Sequence, residues 1–316
     1  MRLINSGLEI LEQQPGLDGM YKQIELAGRT CYKSEDKITE DSAKAFVDRM
    51  IKSGHGAMLE HGTVYLRVED SGLLNQIKDI SGKYKANKYS KVNTFITKES
   101  MAICTTESFI TTNLRVLVEN GWLDDLKYIC EPTEYHEKRV TVKWTCDRVT
   151  GESFLRHRVF SFARESTRYC NYSKDKFGNE LTFIIPSWTN LPEGKYTNWD
   201  NDWCDVAELK LLYPEVDNID DPTNCFLQSI KNAEFFYITA INNGWKAQQA
   251  RQVLPFAIHS PLVMTGFLSD WTHFFELRCA PSAHPDAQKL AKELLVKLHE
   301  MHPGKFDELY SKYIEQ

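Results

Sequence analysis

The segment from Arg139 to Cys146 reads RVTVKWTC, and its alternation of apolar and polar residues predicts a β-strand. It leads directly into a segment at 149 to 157 that we expect to be a short helix, with Arg156-His157-Arg158 at its end. The other strands and helices predicted along the chain do not follow one another in regular alternation. This irregular order favours an α+β domain over a doubly wound parallel sheet.

Arg156-His157-Arg158 is followed after seven residues by Ser166 and then by Arg168. We interpret this stretch as an anion-binding cluster, because a guanidinium group pairs with phosphate through two parallel hydrogen bonds. The net charge of the chain is −6 at pH 7. A basic cluster in an acidic protein suggests a small phosphorylated ligand and argues against a nucleic-acid partner.

Other polar residues could complete such a site. Arg251 and Arg278 lie beside apolar residues in the second half of the chain and are further candidates for the anion. His157 stands between two guanidinium groups, which favours its neutral form, suited to act as a base or to pack on a flat ring. Ser166 has no G-x-S-x-G around it, so we expect a hydroxyl that binds phosphate rather than a nucleophile.

The sequence GHGAMLEHG at 54 to 62 predicts a turn that offers backbone N–H groups and the carboxylate of Glu60 to a ligand. His55, Glu60 and His61 do not have the spacing of a zinc site, so we expect no metal. The chain contains no G-x-G-x-x-G after a strand and no G-x-x-x-x-G-K-[ST]. A nucleotide would therefore be held by a different arrangement.

The cysteine pattern and the apolar content of the chain predict a cytoplasmic protein. The eight cysteines include no C-x-x-C pair, which is typical of reduced thiols in a cytosolic protein. The first residues lack the pattern of a signal peptide, and no stretch approaches the ~18 apolar residues of a membrane span. Residues 70 to 100 are polar and rich in lysine, which indicates a mostly solvated segment. Residues 186 to 222 are rich in Pro, Asn, Asp and Trp, which favours a long surface excursion.

The RHR-x7-S pattern resembles the signature of the flavin-dependent thymidylate synthases. A GHG-x-x-LEH turn lies upstream, and AR-x-x-LP (Ala250 to Pro255) and HF-x-x-LR (His273 to Arg278) follow downstream in the order that family shows. The sequence AHPDAQ at 283 to 288 resembles the start of its closing helix. These anchors extend from about Ala27 to Lys292, so the resemblance covers most of the chain.

The resemblance implies an α+β subunit with a mixed or antiparallel sheet flanked by helices, and a homotetramer with active sites at the subunit interfaces. It implies one catalytic domain over residues 1 to 316, with insertions at about 70 to 140 and 186 to 222. The implied reaction converts dUMP to dTMP. Methylenetetrahydrofolate donates the carbon, reduced FAD supplies the hydride, and NADPH reduces the flavin.

Carried over residue by residue, the resemblance assigns dUMP binding to Ser153, Arg156, Ser166, Arg168, Arg251 and Arg278. Arg278 would also be catalytic, because it would polarise the pyrimidine ring and favour loss of the N3 proton. FAD binding is assigned to Ala57, Glu60, His157, Arg158, Val159 and His273.

The chain departs from the family pattern at three places. The usual Asn and acid after RHR are Ala163 and Arg164, with Glu165 one place later, which on a helix rotates the carboxylate by about 100°. The flavin-binding Asn-x-Arg of the family falls near Phe267 to Ser269, which here read Phe-Leu-Ser, so part of the adenine or pyrophosphate site must be rebuilt. Compact members lack most of residues 70 to 140, which either cover the folate mouth or extend a subunit interface.

Two other functions stay open. The replaced Asn and acid leave room for a related flavin enzyme that modifies a pyrimidine nucleotide differently, such as a hydroxymethylase. A catalytically silent nucleotide-binding protein would keep the RHR cluster only for phosphate contact. The colour of the purified protein separates this last function from the others, because a flavoprotein is yellow.

Overall fold

A computed structural model of the protein describes residues 1–73, 80–99, 103–196 and 222–315. The predicted excursion at 186 to 222 lies mostly outside these residues. Three β-sheets and the helices around them confirm the predicted α+β class. Of the helices in the described ranges, none combines the length and the apolar character that crossing a membrane needs.

The strands are β1 (Arg2–Ile4), β2 (Gly7–Leu11), β3 (Thr63–Leu73), β4 (Lys91–Glu99), β5 (Ile103–Asn113), β6 (Arg139–Thr145), β7 (Ser161–Arg164), β8 (Thr182–Ile184), β9 (Gly194–Lys195) and β10 (Leu262–Phe267). The helices are α1 (Gly16–Tyr32), α2 (Ser42–Lys52), α3 (Gly56–Leu59), α4 (Ile80–Lys85), α5 (Leu114–Asn120), α6 (Arg148–Phe154), α7 (Pro222–Asn242), α8 (Ala247–Ala250), α9 (Asp270–Arg278), α10 (Pro285–Met301) and α11 (Asp307–Tyr313).

The central sheet is antiparallel and has the strand order β2-β6-β10-β7. Every residue of β10 is buried, because the strand pairs on both edges and helices cover it. Trp144 of β6 packs against Phe154 at the end of α6, with ring centroids 4.8 Å apart. Trp271 and Phe274 of α9 complete this aromatic core. The core therefore fixes the ends of α6 and α9 relative to each other.

A second antiparallel sheet has the order β3-β5-β4. The side chains described in residues 70 to 100 are mostly exposed or half-buried, as predicted, although the stretch also forms α4 and β4. Tyr84 of α4 is fully buried, donates a hydrogen bond to Asp125 Oδ2 at 2.6 Å, and packs against Trp122. Because the stretch is rich in lysine, its sequence pattern does not show which apolar residues pack against the rest of the protein.

The third sheet has the order β8-β1-β9, with β1 parallel to β8 and antiparallel to β9. Leu3 and Phe183 from this sheet pack with Leu227 and Tyr237 of α7. The sequence patterns predict no element in residues 1 to 32, where the structure has β1, β2 and α1. Strands of three and five residues are too short to show a clear alternation.

The segment that carries Arg156-His157-Arg158 differs from the prediction. The helix expected at 149 to 157 is α6, which ends at Phe154, so the three basic residues lie in the turns between α6 and β7. Backbone hydrogen bonds from His157 N to Phe154 O and from Phe160 N to His157 O close these turns, each at 3.1 Å. Because Phe154 and Phe160 are buried on either side, the turn holds His157 inside and leaves Arg156 and Arg158 exposed.

His61 fixes the turn at 54 to 62 against the central sheet. Its ring is fully buried, and its Nδ1 lies 2.8 Å from the hydroxyl of Thr265 on β10. Burial, with a smaller contribution from the nearby Arg139 charge, lowers the pKa of His61 from its ordinary 6.5 to about 3. The imidazole is therefore neutral at physiological pH and holds Glu60, its neighbour, beside the sheet.

The depressed pKa of His61 predicts a loss of stability in acid. Below pH 6.5, His61 is protonated in the unfolded chain, whereas in the folded chain it stays neutral until about pH 3. The free energy of unfolding therefore decreases as the pH falls through this window. In His61→Asn, which keeps a polar group near Thr265, the melting temperature should fall less steeply on acidification. His55→Asn, at an exposed histidine of the same turn, is the control. Equal slopes for the wild type and His61→Asn would contradict the account.

Gly266 of β10 has no room for a side chain. A Cβ atom placed there would overlap the ring of Phe160, which is itself packed against Trp271 at 4.6 Å. Gly266→Ala should lower the free energy of unfolding by about 1–3 kcal/mol in denaturant titration, because the overlap forces the ring to move. Gly7→Ala on β2 of the same sheet, where nothing lies within 4 Å, should be close to neutral. A stable Gly266→Ala variant would show that the Phe160 ring moves freely.

Candidate active site

Arg278, the last residue of α9, is held by two uncharged acceptors. Its Nε donates a hydrogen bond to Nε2 of His157 at 2.9 Å, and its Nη2 donates to the carbonyl oxygen of Ser153 at 2.6 Å. A guanidinium group can only donate, so His157 Nε2 accepts and the ring proton resides on Nδ1. Arg278 is thus oriented by the protein without losing its charge to a carboxylate.

The electrostatics of this group follow from its packing. Burial first, and then the charges of Arg278, His273 and Arg156, lower the pKa of His157 from 6.5 to about 4. The pKa of Arg278 is lowered by burial and by Arg156. In the described part of the chain neither arginine forms an ion pair. Two adjacent guanidinium groups without a counterion create a positive potential that favours an anionic ligand.

Ser153 contributes through its backbone. Its hydroxyl donates to the carbonyl oxygen of Thr150 one turn earlier in α6, at 2.7 Å. Its own carbonyl oxygen accepts from Arg278, as described above. The hydroxyl oxygen can still accept a hydrogen bond from a ligand, but its proton is used within the helix.

The other predicted dUMP residues form a second group. Arg168 Nε donates to the side-chain oxygen of Gln248 at 3.3 Å, and Gln248 lies on α8, three residues before the exposed Arg251. The backbone N–H of Ser166 donates to the carbonyl oxygen of Cys31 at 2.9 Å. No hydrogen bond or ion pair joins this group to Arg278 within the described residues. The side-chain hydrogen bonds of one chain therefore form two sets, one around Arg278 and one around Arg168.

The predicted FAD residues lie at two neighbouring places. Glu60, Arg158 and Val159 line a groove of about 610 Å³ between the central sheet and the β3-β5-β4 sheet. Val159 is 65 % exposed there, so it offers an apolar surface to a ring. His157 and His273 lie beside Arg278, with ring centroids 6.1 Å apart. Ala57 is exposed on α3, directly before the groove residue Glu60.

Arg139, at the start of β6, lies among the lining residues of this groove. Its Nη1 donates to the backbone carbonyl oxygen of Glu60 at 2.9 Å, whereas its buried Nε has no partner in the described structure. Burial lowers the pKa of Arg139 to about 10. A buried donor that lacks an acceptor costs free energy, so this groove suits an anionic group such as the phosphates of a dinucleotide.

Arg164 and Glu165 lie at the end of a strand, so the expected helical rotation between them is wrong. Successive strand residues point to opposite faces. Arg164 Nε donates to Ser260 Oγ at 2.8 Å, and its Nη1 pairs with Glu152 at 3.0 Å. Glu165 is buried on the other side and accepts a hydrogen bond from the hydroxyl of Tyr172. Burial raises the pKa of Glu165.

Among the groove residues that the sequence analysis did not assign to a ligand are Arg139 and Lys91. Lys91 lies in the lysine-rich stretch that we expected to be solvated, and Arg139 is the first residue of a predicted strand. The only signal for Arg139 was a charged residue at the start of an otherwise buried strand. Within the described ranges, no three His, Cys, Asp or Glu side chains are arranged to hold a metal ion.

Comparison with known proteins assigns the chain to a family. The family profile described as "Thymidylate synthase complementing protein" matches residues 131–304, more than half of the chain. A flavin-dependent thymidylate synthase of Pyrococcus furiosus is 26% identical over 153 residues, which are 48% of this chain and 51% of that protein. One of Corynebacterium aurimucosum is 22% identical over 289 residues, 91% of this chain and 79% of that protein.

The chain spans about half the length of the Pyrococcus relatives it matches. A crystal structure of a UMP/dUMP methylase from Streptomyces cacaoi aligns with 99% of this chain and 98% of its own at 15% identity. Its TM-score of 0.42 is too low to support an argument. The family match itself includes Arg156-His157-Arg158, Ser166, Arg251 and Arg278. The chain therefore belongs to the family of thymidylate synthase complementing proteins, the flavin-dependent family that its RHR-x7-S pattern resembles.

Proposed function

We propose that this protein is a flavin-dependent thymidylate synthase that converts dUMP to dTMP. The carbon donor is methylenetetrahydrofolate, and NADPH reduces the bound FAD. The observation that carries the proposal is the Arg278 guanidinium, which is fixed by a neutral His157 and lies near Arg156 without a counterion. Membership of the family supports the proposal, since both curated relatives named above carry this activity in their names.

Arg278 has the properties that activation of uracil requires. Two of its three guanidinium nitrogens bind within the chain, which leaves the N–H groups of Nη1 for a substrate oxygen. A fixed cation beside the pyrimidine would stabilise the negative charge that develops when N3 loses its proton. Arg156, Arg168, Arg251 and Ser166 would bind the dUMP phosphate, because charged donors suit a dianion.

FAD would occupy the groove and the adjoining Arg278 group. Reduced FAD supplies the hydride when bound. Arg158 and Val159 would hold its ring system from the turn after α6, while the neutral rings of His157 and His273 offer flat faces beside it. His157 stays neutral well below physiological pH, so it would not repel the positive groups around it.

Division of the dUMP residues into two groups supports an assembled site. We propose a homotetramer in which the Arg278 group of one protomer and the Arg168 group of another face the same nucleotide. The cytoplasm is the compartment we assign, since the six cysteines whose side chains are described form no disulfide.

A hydroxymethylating enzyme is the second candidate. The observation that favours it is the replacement of the usual Asn and acid by Ala163 and Arg164. Arg164 is bound to Ser260 and Glu152, so it cannot take the place of an acidic side chain. Glu165 is buried against Tyr172 and does not replace it either.

Arg278→Ala tests the assigned catalytic residue. Without the guanidinium, release of tritium from [5-3H]dUMP should fall by at least about 100-fold, because the developing charge on the ring loses its stabiliser. The purified variant should remain yellow, with flavin bound. Arg67→Ala, at an exposed arginine that pairs with Glu107 on the second sheet, should keep normal turnover. Normal tritium release by Arg278→Ala would refute the role of Arg278.

Product analysis separates the two candidates. Anaerobic incubation with dUMP, methylenetetrahydrofolate, FAD and NADPH should convert the nucleotide to one heavier by a single methylene unit, as measured by mass spectrometry. A product heavier by a hydroxymethyl addition would establish the second candidate. A colourless protein that binds dUMP but leaves it unchanged would overturn both.

A further inference from the structure

We propose that Lys91, together with Arg139, binds the diphosphate of the flavin dinucleotide and replaces an arginine that this chain lacks at Ser269. This inference rests on the proposed function. Lys91 belongs to the stretch, about 70 to 140, that the resemblance implies compact members of the family lack, whereas Arg139 lies within the family match at 131–304. The extra segment would thus complete the cofactor site.

The groove that contains both residues is rich in positive charge. Five cationic side chains line it: Lys88, Lys91, Arg115, Arg139 and Arg158. Among the residues that the structure describes, only Arg115 of these five forms an ion pair. The other four cations are not neutralised by a direct ion pair, so the groove attracts an anion.

The carboxylates of the groove offset only part of this charge. Three line it, and two of them, Glu60 and Glu119, are paired with Arg115. The third, Asp270, accepts a hydrogen bond from the backbone N–H of Phe267 at 3.2 Å; burial raises its pKa, and the nearby charges of Lys91 and Arg139 act in the opposite direction. Four cations therefore face one remaining carboxylate.

Lys91 contacts the residue at which the family's arginine is expected. Its ammonium group donates a hydrogen bond to the hydroxyl of Ser269 at 2.8 Å and lies 5.0 Å from the centre of the Phe267 ring. By the family resemblance, the flavin-binding Asn-x-Arg falls near Phe267 to Ser269, so Ser269 stands at the arginine's expected place. A cation from the distant strand β4 thus lies beside the residue at which the resemblance places that arginine.

Arg139 supplies the second donor. Its guanidinium lies 5.6 Å from the same Phe267 ring, so both cations lie close to one side chain. Its buried Nε is the unpartnered donor described above. A diphosphate carries several acceptor oxygens and can satisfy the Lys91 ammonium and the Arg139 Nε together.

The position of the groove favours a dinucleotide over a free phosphate. Arg158 and Val159 line the groove and directly follow His157. Tyr89, Phe160 and Phe267 add aromatic surface. A ligand that spans the groove would therefore place a ring system toward His157 and its phosphates at Lys91. The glutamate carboxylates of the folate donor are the other anions of this reaction, and the test distinguishes them.

The affinity of the Lys91→Met variant for flavins tests the proposed contact between Lys91 and the diphosphate, and it does not require catalytic turnover. The wild type should bind FAD more tightly than riboflavin, which has no phosphate, in titrations of flavin fluorescence. Lys91→Met should bind FAD about tenfold more weakly, because a hydrogen-bonded ion pair is lost, and should bind riboflavin as before. Lys85→Met, at an exposed lysine of α4 outside the groove, should match the wild type.

A compensating change makes the assignment specific. Adding Ser269→Arg to Lys91→Met should restore FAD affinity, because it returns the cation to the family position. Wild-type affinity for FAD in Lys91→Met would overturn the inference while leaving the proposed function intact. A loss of affinity for methylenetetrahydrofolate instead of FAD would also overturn it, in favour of the folate carboxylates. If the wild type binds no flavin, the proposed function fails as well.

Discussion

The hydrogen bond from Arg278 Nε to His157 Nε2 is the interaction on which the candidate active site depends. It joins the end of α9 to the turn after α6, two segments that the aromatic core of Trp144, Phe154 and Phe274 already holds together. Because its acceptor is neutral, the bond fixes the direction of Arg278 without consuming its charge. A carboxylate in place of His157 would orient the arginine equally well but would cancel the potential that an anionic substrate needs.

In the groove beside it, cationic side chains are again oriented by uncharged acceptors. Arg139 is anchored by the backbone oxygen of Glu60 and Lys91 by the hydroxyl of Ser269, both uncharged acceptors. Glu60 and Glu119 pair with Arg115, and Asp270, on which the charges of Lys91 and Arg139 act, accepts from a backbone N–H. In an acidic protein, positive potential survives only where carboxylates are kept away or occupied. The two sites thus share one principle: cations oriented by neutral partners.

The sequence predicted the α+β class, the strand that begins at Arg139 and the helix that ends at Arg278, because each has a clear period and length. It predicted His157 and Arg278 through a motif, but not that they touch, since 121 residues separate them. Lys91 and Tyr84 were out of reach for another reason. Their stretch is rich in lysine, and only the folded structure shows that Tyr84 of α4 is buried and that Lys91 reaches Ser269.

The position of the proton on His157 tests the central claim most directly. A neutron crystal structure at neutral pH shows each hydrogen of an imidazole and of a guanidinium as a deuterium atom. The account predicts deuterium on Nδ1 of His157, none on its Nε2, and a fully protonated Arg278 whose Nε–D points at that nitrogen. Deuterium on Nε2, or a doubly protonated His157, would contradict the account, because Arg278 would then have no acceptor in the imidazole.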